Sequence, residues 1–183
     1  MHTHFDSGVG SQLTQPWNKG KLTGAKPPLS PKHVWAVRKR LQLLKRFRDL
    51  ALFNLAIDSK LRGCDLVGLK IADVAPHGYA VDRASVRQRK TGRPVRFEIT
   101  EQTRQAIDDH LSHRSETSSP YLFLGRGPAG HLTTRQYARL LGKCLTMIGL
   151  DACFYGTHSK VRGTIRGTFD LPLKGRTTFF DFR

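Results

Sequence analysis

The sequence predicts an α+β fold that is mostly helical and carries one small antiparallel β-sheet. Apolar residues recur at helical spacing along most of the chain between residues 30 and 159. One stretch, residues 79–100, instead alternates apolar and polar residues around a Gly-containing turn, which is the pattern of a β-hairpin. The length of 183 residues is enough for one domain of ordinary size with a buried core.

Two helices open the predicted domain. Ser30 and Pro31 are typical of an N-cap and of the first helical position. The apolar stripe of this first helix comprises Val34, Val37, Leu41 and Leu44. Lys45 and Arg46 interrupt the stripe, and a second helix follows with apolar residues around most of its circumference. Such a helix belongs in the middle of a domain, so we expect the second helix to be buried.

The stretch "LRGCDLVGLKIADV", residues 61–74, follows the second helix. Gly63 is predicted to end that helix, because glycine accommodates the backbone conformation found at helix C-termini. Asp65 is predicted to lie in the first turn of a short third helix, where the helix dipole stabilises a carboxylate.

The hairpin and two further helices complete the pattern. The hairpin turn carries "KTG", which begins at Lys90. Thr100 is predicted to cap the next helix, and either Thr133 or Thr134 is predicted to cap the last one, which ends at Gly149. Between these helices, "YLFLGRGPAGHL" is typical of a short apolar segment followed by a glycine loop.

The chain is strongly basic, with a formal net charge of +17. Chains this basic usually bind a polyanion, because lysine and arginine displace the counterions condensed on phosphates. Residues 1–49 carry ten basic and two acidic groups, residues 50–159 fifteen and ten, and residues 160–183 six and two. This distribution predicts a flexible basic arm over residues 1–29, a folded domain over residues 30–159, and a basic tail after it.

Neither the cysteines nor the histidines form a metal-binding pattern. Cys64, Cys144 and Cys153 show no CxxC spacing, and we expect reduced, buried thiols in a cytoplasmic protein. No signal peptide and no apolar run long enough to span a membrane is visible in the sequence. His110 and His113 form HxxH, but no neighbouring pattern completes a zinc site, which favours an exposed pair at a helix end.

Three stretches of the chain, taken in order, resemble the catalytic domain of the tyrosine recombinases, the phage integrase family. "DSKLRGCDLVGL" is similar to the family's first box, in which an arginine precedes a short helix with an acidic residue and leucines. "RQRKTGRPVRFEIT" is similar to the hairpin whose turn carries a lysine followed by Thr-Gly, and "GTHS" is similar to the opening of the second box. The resemblance covers residues 30–159 and implies that family's fold, incomplete at its C-terminus.

The resemblance implies DNA strand cleavage through a phosphotyrosine. In this chemistry, negative charge concentrates on the phosphorane oxygens, where positioned arginine donors help most. By resemblance, Arg62 binds the phosphate with its guanidinium fork, Lys90 protonates the leaving 5′-oxygen, and His158 hydrogen-bonds the phosphate. Arg162 lies one position later than the family's second-box arginine, and it would partly replace that arginine from the same helix face if this segment were helical.

The resemblance also implies the partners. The expected DNA-binding residues are Arg62, Arg89, Lys90, Arg93 and Arg135. The expected partner is double-stranded DNA, bound beside a second copy of the chain or the subunits of an intact recombinase. No membrane, metal or other cofactor is expected. The chain is expected to be of bacterial or phage origin. Its expected location is the bacterial cytoplasm, at the nucleoid.

Each of these residues also has an ordinary structural interpretation. Arg62 taken alone is typical of a cation at the C-terminus of the preceding helix, and the other two stretches favour phosphate binding instead. Lys90 taken alone is typical of a solvated turn, and His158 of a surface or core histidine. Tyr137 lies on an apolar helical stripe and is predicted to belong to the core.

The pattern breaks after Ser159. The following residues are interrupted by three glycines and a proline within 16 positions, which disfavours a continuing helix. The family places its tyrosine nucleophile on a late helix, whereas the last tyrosine here is Tyr155 and the last histidine is His158. We therefore expect a recombinase domain truncated or frameshifted after Ser159, inactive because it lacks the nucleophile. Two alternatives are a non-catalytic DNA-binding protein that keeps the phosphate clamp and a general basic nucleic-acid-binding protein.

Overall fold

The computed structural model describes residues 27–115, 119–125 and 130–155. Most of the predicted arm and the whole of the predicted tail lie outside the described residues. His158 and Arg162, two of the expected site residues, therefore also lie outside them.

Six helices and one hairpin make up the described part of the chain. The elements follow one another as α1 (Pro31–Leu43), α2 (Phe47–Ser59), α3 (Gly63–Val67), α4 (Ile71–Val74), β1 (Arg83–Arg87), β2 (Pro94–Glu98), α5 (Glu101–Ser112), α6 (Thr134–Thr146) and a 3₁₀ turn (Ala152–Phe154). The predicted fold class is confirmed: the molecule is largely helical, with a small antiparallel sheet. Within the described ranges, no helix is both long and apolar enough to cross a membrane.

Helix α1 begins and packs as its sequence predicts. Ser30 is the N-cap, and its Oγ accepts the His33 N–H at 3.4 Å, with Pro31 in the first position. The buried face consists of Val34, Val37 and Leu41. Leu44 departs from the predicted stripe, because it lies beyond the last helical residue and is 46% exposed. The chain turns at Lys45, whose φ of +50° ends the helical path.

Helix α2 is the centre of the molecule, as predicted. Ten of its thirteen residues are buried, and it packs against α1 on one side and α5 on another. The prediction that Gly63 ends this helix is wrong. Helix α2 ends at Ser59, and Lys60 adopts the left-handed conformation at φ +52°. Gly63 instead begins α3. Burial of nearly the whole helix offsets the cost of about 1–2 kcal/mol for a left-handed residue other than glycine.

The hairpin has the predicted strands and turn. β1 and β2 pair antiparallel, with Val86 opposite Val95 and Ala84 opposite Phe97. Phe97 is buried, and so is Ile99 directly after β2. Alternate residues of the hairpin therefore join the core, while the others face outward.

Thr100 lies at the predicted start of α5 but makes a different contact from a simple cap. It occupies the N-cap position, yet its side chain caps no backbone N–H of the helix and lies 3.1 Å from the Thr103 hydroxyl oxygen. Its Oγ1 instead donates to Asp58 Oδ2 at 2.8 Å, and its N–H donates to the same oxygen at 2.9 Å. This contact joins the start of α5 to the end of α2.

The apolar segment between α5 and α6 passes through the core. Leu122 and Phe123 have no exposed surface, and the Leu122 N–H donates to the Leu69 carbonyl at 2.8 Å. The glycine loop after this segment, residues 126–129, lies outside the described residues.

Helix α6 is bounded by two local signals that the sequence contains. Thr133 rather than Thr134 is the N-cap, and it exchanges hydrogen bonds with Gln136 in a capping box. At the other end, Leu150 N–H donates to the Leu145 carbonyl across Gly149, whose φ is +77°. The buried face contains Tyr137, Leu140, Leu141, Cys144 and Leu145.

The cysteine prediction is only partly correct. Cys144 is buried and Cys64 is partly buried, but Cys153 is exposed. Cys153 lies in the 3₁₀ turn, where its N–H donates to Asp151 Oδ1 at 2.9 Å. A single short turn at the surface leaves its side chain outside the core.

Candidate functional site

Arg62 stands between α2 and α3 and presents an unsatisfied donor. Its backbone is extended, at φ −68° and ψ 149°, and its carbonyl accepts the N–H groups of Asp65 and Leu66 at 2.9 Å each. The side chain is partly buried. Its Nη1 atom is buried and has no hydrogen-bond partner among the described residues. Buried polar groups in proteins are almost always hydrogen-bonded, so this donor is suited to an anionic ligand.

Asp65 joins α3 to the hairpin turn. Its side chain lies in the first turn of α3, as predicted, and it is only 3% exposed. Oδ1 accepts the Arg89 N–H at 2.9 Å, across 24 residues of sequence. Oδ2 is buried and has no partner in the described part of the chain. Asp65 thus links α3, the helix that follows Arg62, to Arg89, the residue immediately before Lys90.

The turn that carries Lys90 is held by its own main chain. Gln88 N–H donates to the Arg93 carbonyl at 2.9 Å, and Gly92 N–H donates to the Gln88 carbonyl at 2.8 Å. Gly92 has a φ of +64°, a conformation that glycine adopts without strain. Thr91 Oγ1 also donates to Gln88 Oε1 at 2.8 Å. Lys90 is therefore exposed at the tip of an ordered turn.

Arg89 lies along α3, whereas Arg93 points away from the core. A methyl group added to Gly68, the residue that caps α3, would lie 3.9 Å from Arg89 Nη1. This places the Arg89 side chain near the end of α3. Arg93 is exposed in the same turn.

Helix α6 packs directly against the start of α3. A methyl group on Gly63 would lie 3.3 Å from Cδ1 and Cε1 of Tyr137, so the ring rests on the glycine next to Arg62. Tyr137 is 4% exposed, which confirms the prediction that it belongs to the core. Burial raises the pKa of Tyr137 well above its usual value, so its hydroxyl stays neutral. Arg135 is exposed on the same helix.

One hydrogen bond, between Asp65 and Arg89, connects the two distant stretches that contain Arg62 and Lys90. Arg62 and Asp65 come from α3 and its N-cap, and Arg89 and Lys90 come from the hairpin turn. The hydrogen bond of Asp65 makes this connection. The sequence carried no local signal for it, because an acidic residue in a first helical turn is common and its partner is 24 residues away.

The two histidines of the HxxH pair lie in different surroundings. No group of three or more His, Cys, Asp or Glu residues in the described ranges could hold a metal ion. The prediction of an exposed pair is wrong for His110, which is 8% exposed and whose Nε2 lies 3.0 Å from the Leu122 carbonyl oxygen. Burial lowers the pKa of His110. His113 is exposed and stacks on Phe47, with ring centroids 4.0 Å apart.

Solved structures share this fold. No protein-family profile and no curated protein matches the sequence. The XerA recombinase superposes with a TM-score of 0.57 at 19% identity, over 69% of this chain and 44% of the recombinase. A variant of the Tn1549 transposon integrase, solved with a circular intermediate DNA, superposes with a TM-score of 0.51 at 18% identity, over 69% and 46%. The chain spans less than half the length of either protein and has part of a tyrosine-recombinase catalytic-domain-like fold.

Proposed function

We propose that this chain binds double-stranded DNA as part of a tyrosine-recombinase catalytic domain formed by residues 30–159. The observation that carries the proposal is the buried Nη1 of Arg62, which lacks a protein partner among the described residues. The neighbours in fold support it, because one is named a recombinase and the other was solved with DNA. The net charge of +17 is of the sign that phosphates require.

Arg62 is assigned the backbone phosphate. A guanidinium fork donates two parallel hydrogen bonds to phosphate oxygens at fixed geometry, which a lysine cannot do. Partial burial strengthens these bonds, because water competes less for both partners. Lys90 is assigned a second contact with the same strand, since Asp65 holds the turn that presents it. Arg89, Arg93 and Arg135 contribute further positive charge toward the duplex.

In a complete recombination site, these residues would also have chemical roles. Arg62 would stabilise the charge on the phosphorane oxygens, and Lys90 would protonate the leaving 5′-oxygen. His158 and Arg162 are assigned to the same phosphate on the strength of the sequence alone. None of the four tyrosines of this chain follows His158. We therefore assign binding without strand cleavage to the 183-residue chain, and assembly on DNA with a second copy or an intact recombinase.

The first experiment compares Arg62→Ala with Arg40→Ala in binding to a labelled DNA duplex. Arg40 is exposed on α1 and serves as a matched loss of one arginine. We expect Arg62→Ala to weaken binding about tenfold more than Arg40→Ala, since a charge-assisted contact contributes about 1.5–3 kcal/mol. Arg62→Lys should recover only part of the loss. Equal losses for Arg62→Ala and Arg40→Ala would favour a general basic nucleic-acid-binding protein.

A second measurement separates binding from cleavage. The protein is incubated with duplex DNA, denatured and examined for a covalent protein–DNA adduct. We expect none from the chain alone. An adduct that disappears in Tyr155→Phe would show that the chain carries its own nucleophile and is an active recombinase.

A further inference from the structure

A cationic groove runs past the start of α2, away from the candidate site. It consists of two adjoining cavities of about 450 and 320 Å³, which share Arg46, Arg48 and Leu124 as lining residues. The first cavity reaches the end of α5, and the second reaches α6. The two cavities therefore lie side by side along these three shared residues, and we refer to them together as the groove.

The groove is rich in positive charge. Its cationic lining residues are Lys45, Arg46, Arg48, Arg114, Arg139 and Lys143. Asp49 is the one acidic residue among the described residues that line it. The groove therefore has five more positive than negative side chains, six minus one, with histidines neutral.

Three of the four arginines, Arg46, Arg48 and Arg114, are held in place before any ligand arrives. Asp49 is 3% exposed, and it pairs with Arg46 Nη2 through Oδ2 and with Arg48 Nη2 through Oδ1 at 3.0 Å. Arg46 Nη1 also donates to Met147 Sδ at 3.8 Å, and Arg114 Nη1 donates to the Tyr121 carbonyl at 2.7 Å. Side chains fixed in this way lose little rotamer freedom on binding.

The paired arginines still face the groove. The side chain of Arg46 is 34% exposed and that of Arg48 is 46% exposed. Arg139 and Lys143 are exposed and four residues apart, so they lie one above the other on α6. The groove thus presents guanidinium and ammonium groups from three separate elements in succession.

The groove is separate from the candidate site. None of Arg62, Asp65, Arg89 and Lys90 lines either cavity. Arg46 precedes α2 and Arg62 follows it, and 13 helical residues span about 20 Å at 1.5 Å per residue. A phosphate bound at Arg62 therefore lies at the other end of α2 from Arg46 and Arg48.

We infer that this groove binds the phosphate backbone of DNA at a second place, independent of the contact at Arg62. The inference rests on the proposed function and adds a second contact surface to it. Cations from several elements, spread over two cavities, suit the successive phosphates of a DNA strand. A single small anion would need only one of the cavities. Arginines already fixed by a buried carboxylate suit a ligand whose charges are regularly spaced.

The test measures how duplex affinity depends on salt. The double variant Arg139→Gln/Lys143→Gln removes two charges from the groove and keeps good helix formers on α6. We expect the slope of log K against log salt to decrease in magnitude by about 1.8, because each phosphate contact contributes about 0.9. The matched control is Lys32→Gln/Lys39→Gln, which removes two exposed charges from α1 that line neither cavity. Melting temperatures of both variants establish that they fold.

The outcomes separate this inference from the proposed function. If the groove variant and the control change the slope equally while Arg62→Ala weakens binding, the groove inference is wrong and the proposed function stands. If the groove variant alone changes the slope and Arg62→Ala matches Arg40→Ala, the groove is a DNA surface and the assignment of Arg62 is wrong. Poly-glutamate is also tested as a competitor. If it displaces the duplex from the wild type as well as DNA of equal charge does, but does not displace it from the groove variant, the groove fits an acidic protein instead.

Discussion

Asp49 and Asp65 are equally buried, each 3% exposed, yet they hold different kinds of partner. Asp49 uses both oxygens to bind the side chains of Arg46 and Arg48, which flank the cationic groove. Asp65 uses one oxygen to bind the main chain of Arg89, beside Lys90, and its other oxygen has no partner among the described residues. One carboxylate therefore compensates charge, and the other fixes the path of the backbone.

This difference matters for substitution. A carboxylate that compensates two arginines is needed for its charge, whereas one that accepts a main-chain N–H is needed for an oxygen at the right place. An asparagine supplies the oxygen but not the charge. The asparagine variants of the two aspartates should therefore behave differently, while both alanine variants should destabilise the protein.

The largest expected effect is that of Asp49→Ala. We expect the free energy of unfolding to fall by about 2–3 kcal/mol, because two guanidinium groups lose their partner. Removing one partner of a fully buried ion pair costs about 3–5 kcal/mol, and the partial exposure of Arg46 and Arg48 makes the expected cost smaller here. Asp49→Asn should cost nearly as much as Asp49→Ala. Urea denaturation measures both, with Asp82→Ala, an exposed acid, as the control. A cost within about 0.5 kcal/mol of that control would contradict the role of Asp49.

A smaller effect is expected for Asp65. Asp65→Ala leaves the Arg89 N–H without its acceptor, which should cost about 1–2 kcal/mol and free the turn that carries Lys90. Asp65→Asn keeps an acceptor oxygen, so it should cost less than half as much. Under the proposed function, duplex affinity should follow the same order. If Asp65→Asn proves as costly as Asp65→Ala, Asp65 is needed for its charge, and the contrast with Asp49 disappears.

The smallest expected effect concerns the packing of α6 against the start of α3, the helix that contains Asp65 and follows Arg62. Gly63→Ala places a methyl group 3.3 Å from the Tyr137 ring, and we expect a cost of about 1 kcal/mol from the forced shift. Gly142→Ala is the matched control, because its methyl group would lie 3.7 Å from Ala152 Cβ, an ordinary contact, within α6. That control should stabilise the protein by up to about 1 kcal/mol through helix propensity. Thermal melts that move in the same direction for both variants would contradict the tight packing at Gly63.

The parts of the fold that sequence reasoning predicted correctly are those encoded by neighbouring residues. Ser30 with Pro31 fixes the start of α1, and Gly92 fixes the hairpin turn. The capping box at Thr133 needs only a residue three positions away. In each case, the physical interaction lies within one turn of chain, so the sequence shows both partners together.

The predictions that were wrong depended on tertiary packing. Helix α2 ends at Ser59, before the left-handed Lys60, rather than at Gly63, because a central helix tolerates a left-handed lysine that local propensity disfavours. His110 lies at the end of a helix, but the buried segment at Leu122 and Phe123 covers it. The same limit applies to the candidate site. Resemblance indicated Arg62 and Lys90 separately, and only the bond from Arg89 to Asp65 shows how their two stretches of chain are connected.

Helix α2 also limits which insertions and deletions the protein can tolerate. Arg46 directly precedes this helix, Arg62 follows it by three residues, and ten of its thirteen residues are buried. Its length therefore largely sets the distance and the angle between the two cationic regions. One inserted residue would rotate everything that follows by about 100° and advance it by 1.5 Å. The apolar faces that now meet α1 and α5 would then turn toward other neighbours. Insertions and deletions should therefore be tolerated in the turns of this chain long before they are tolerated within α2.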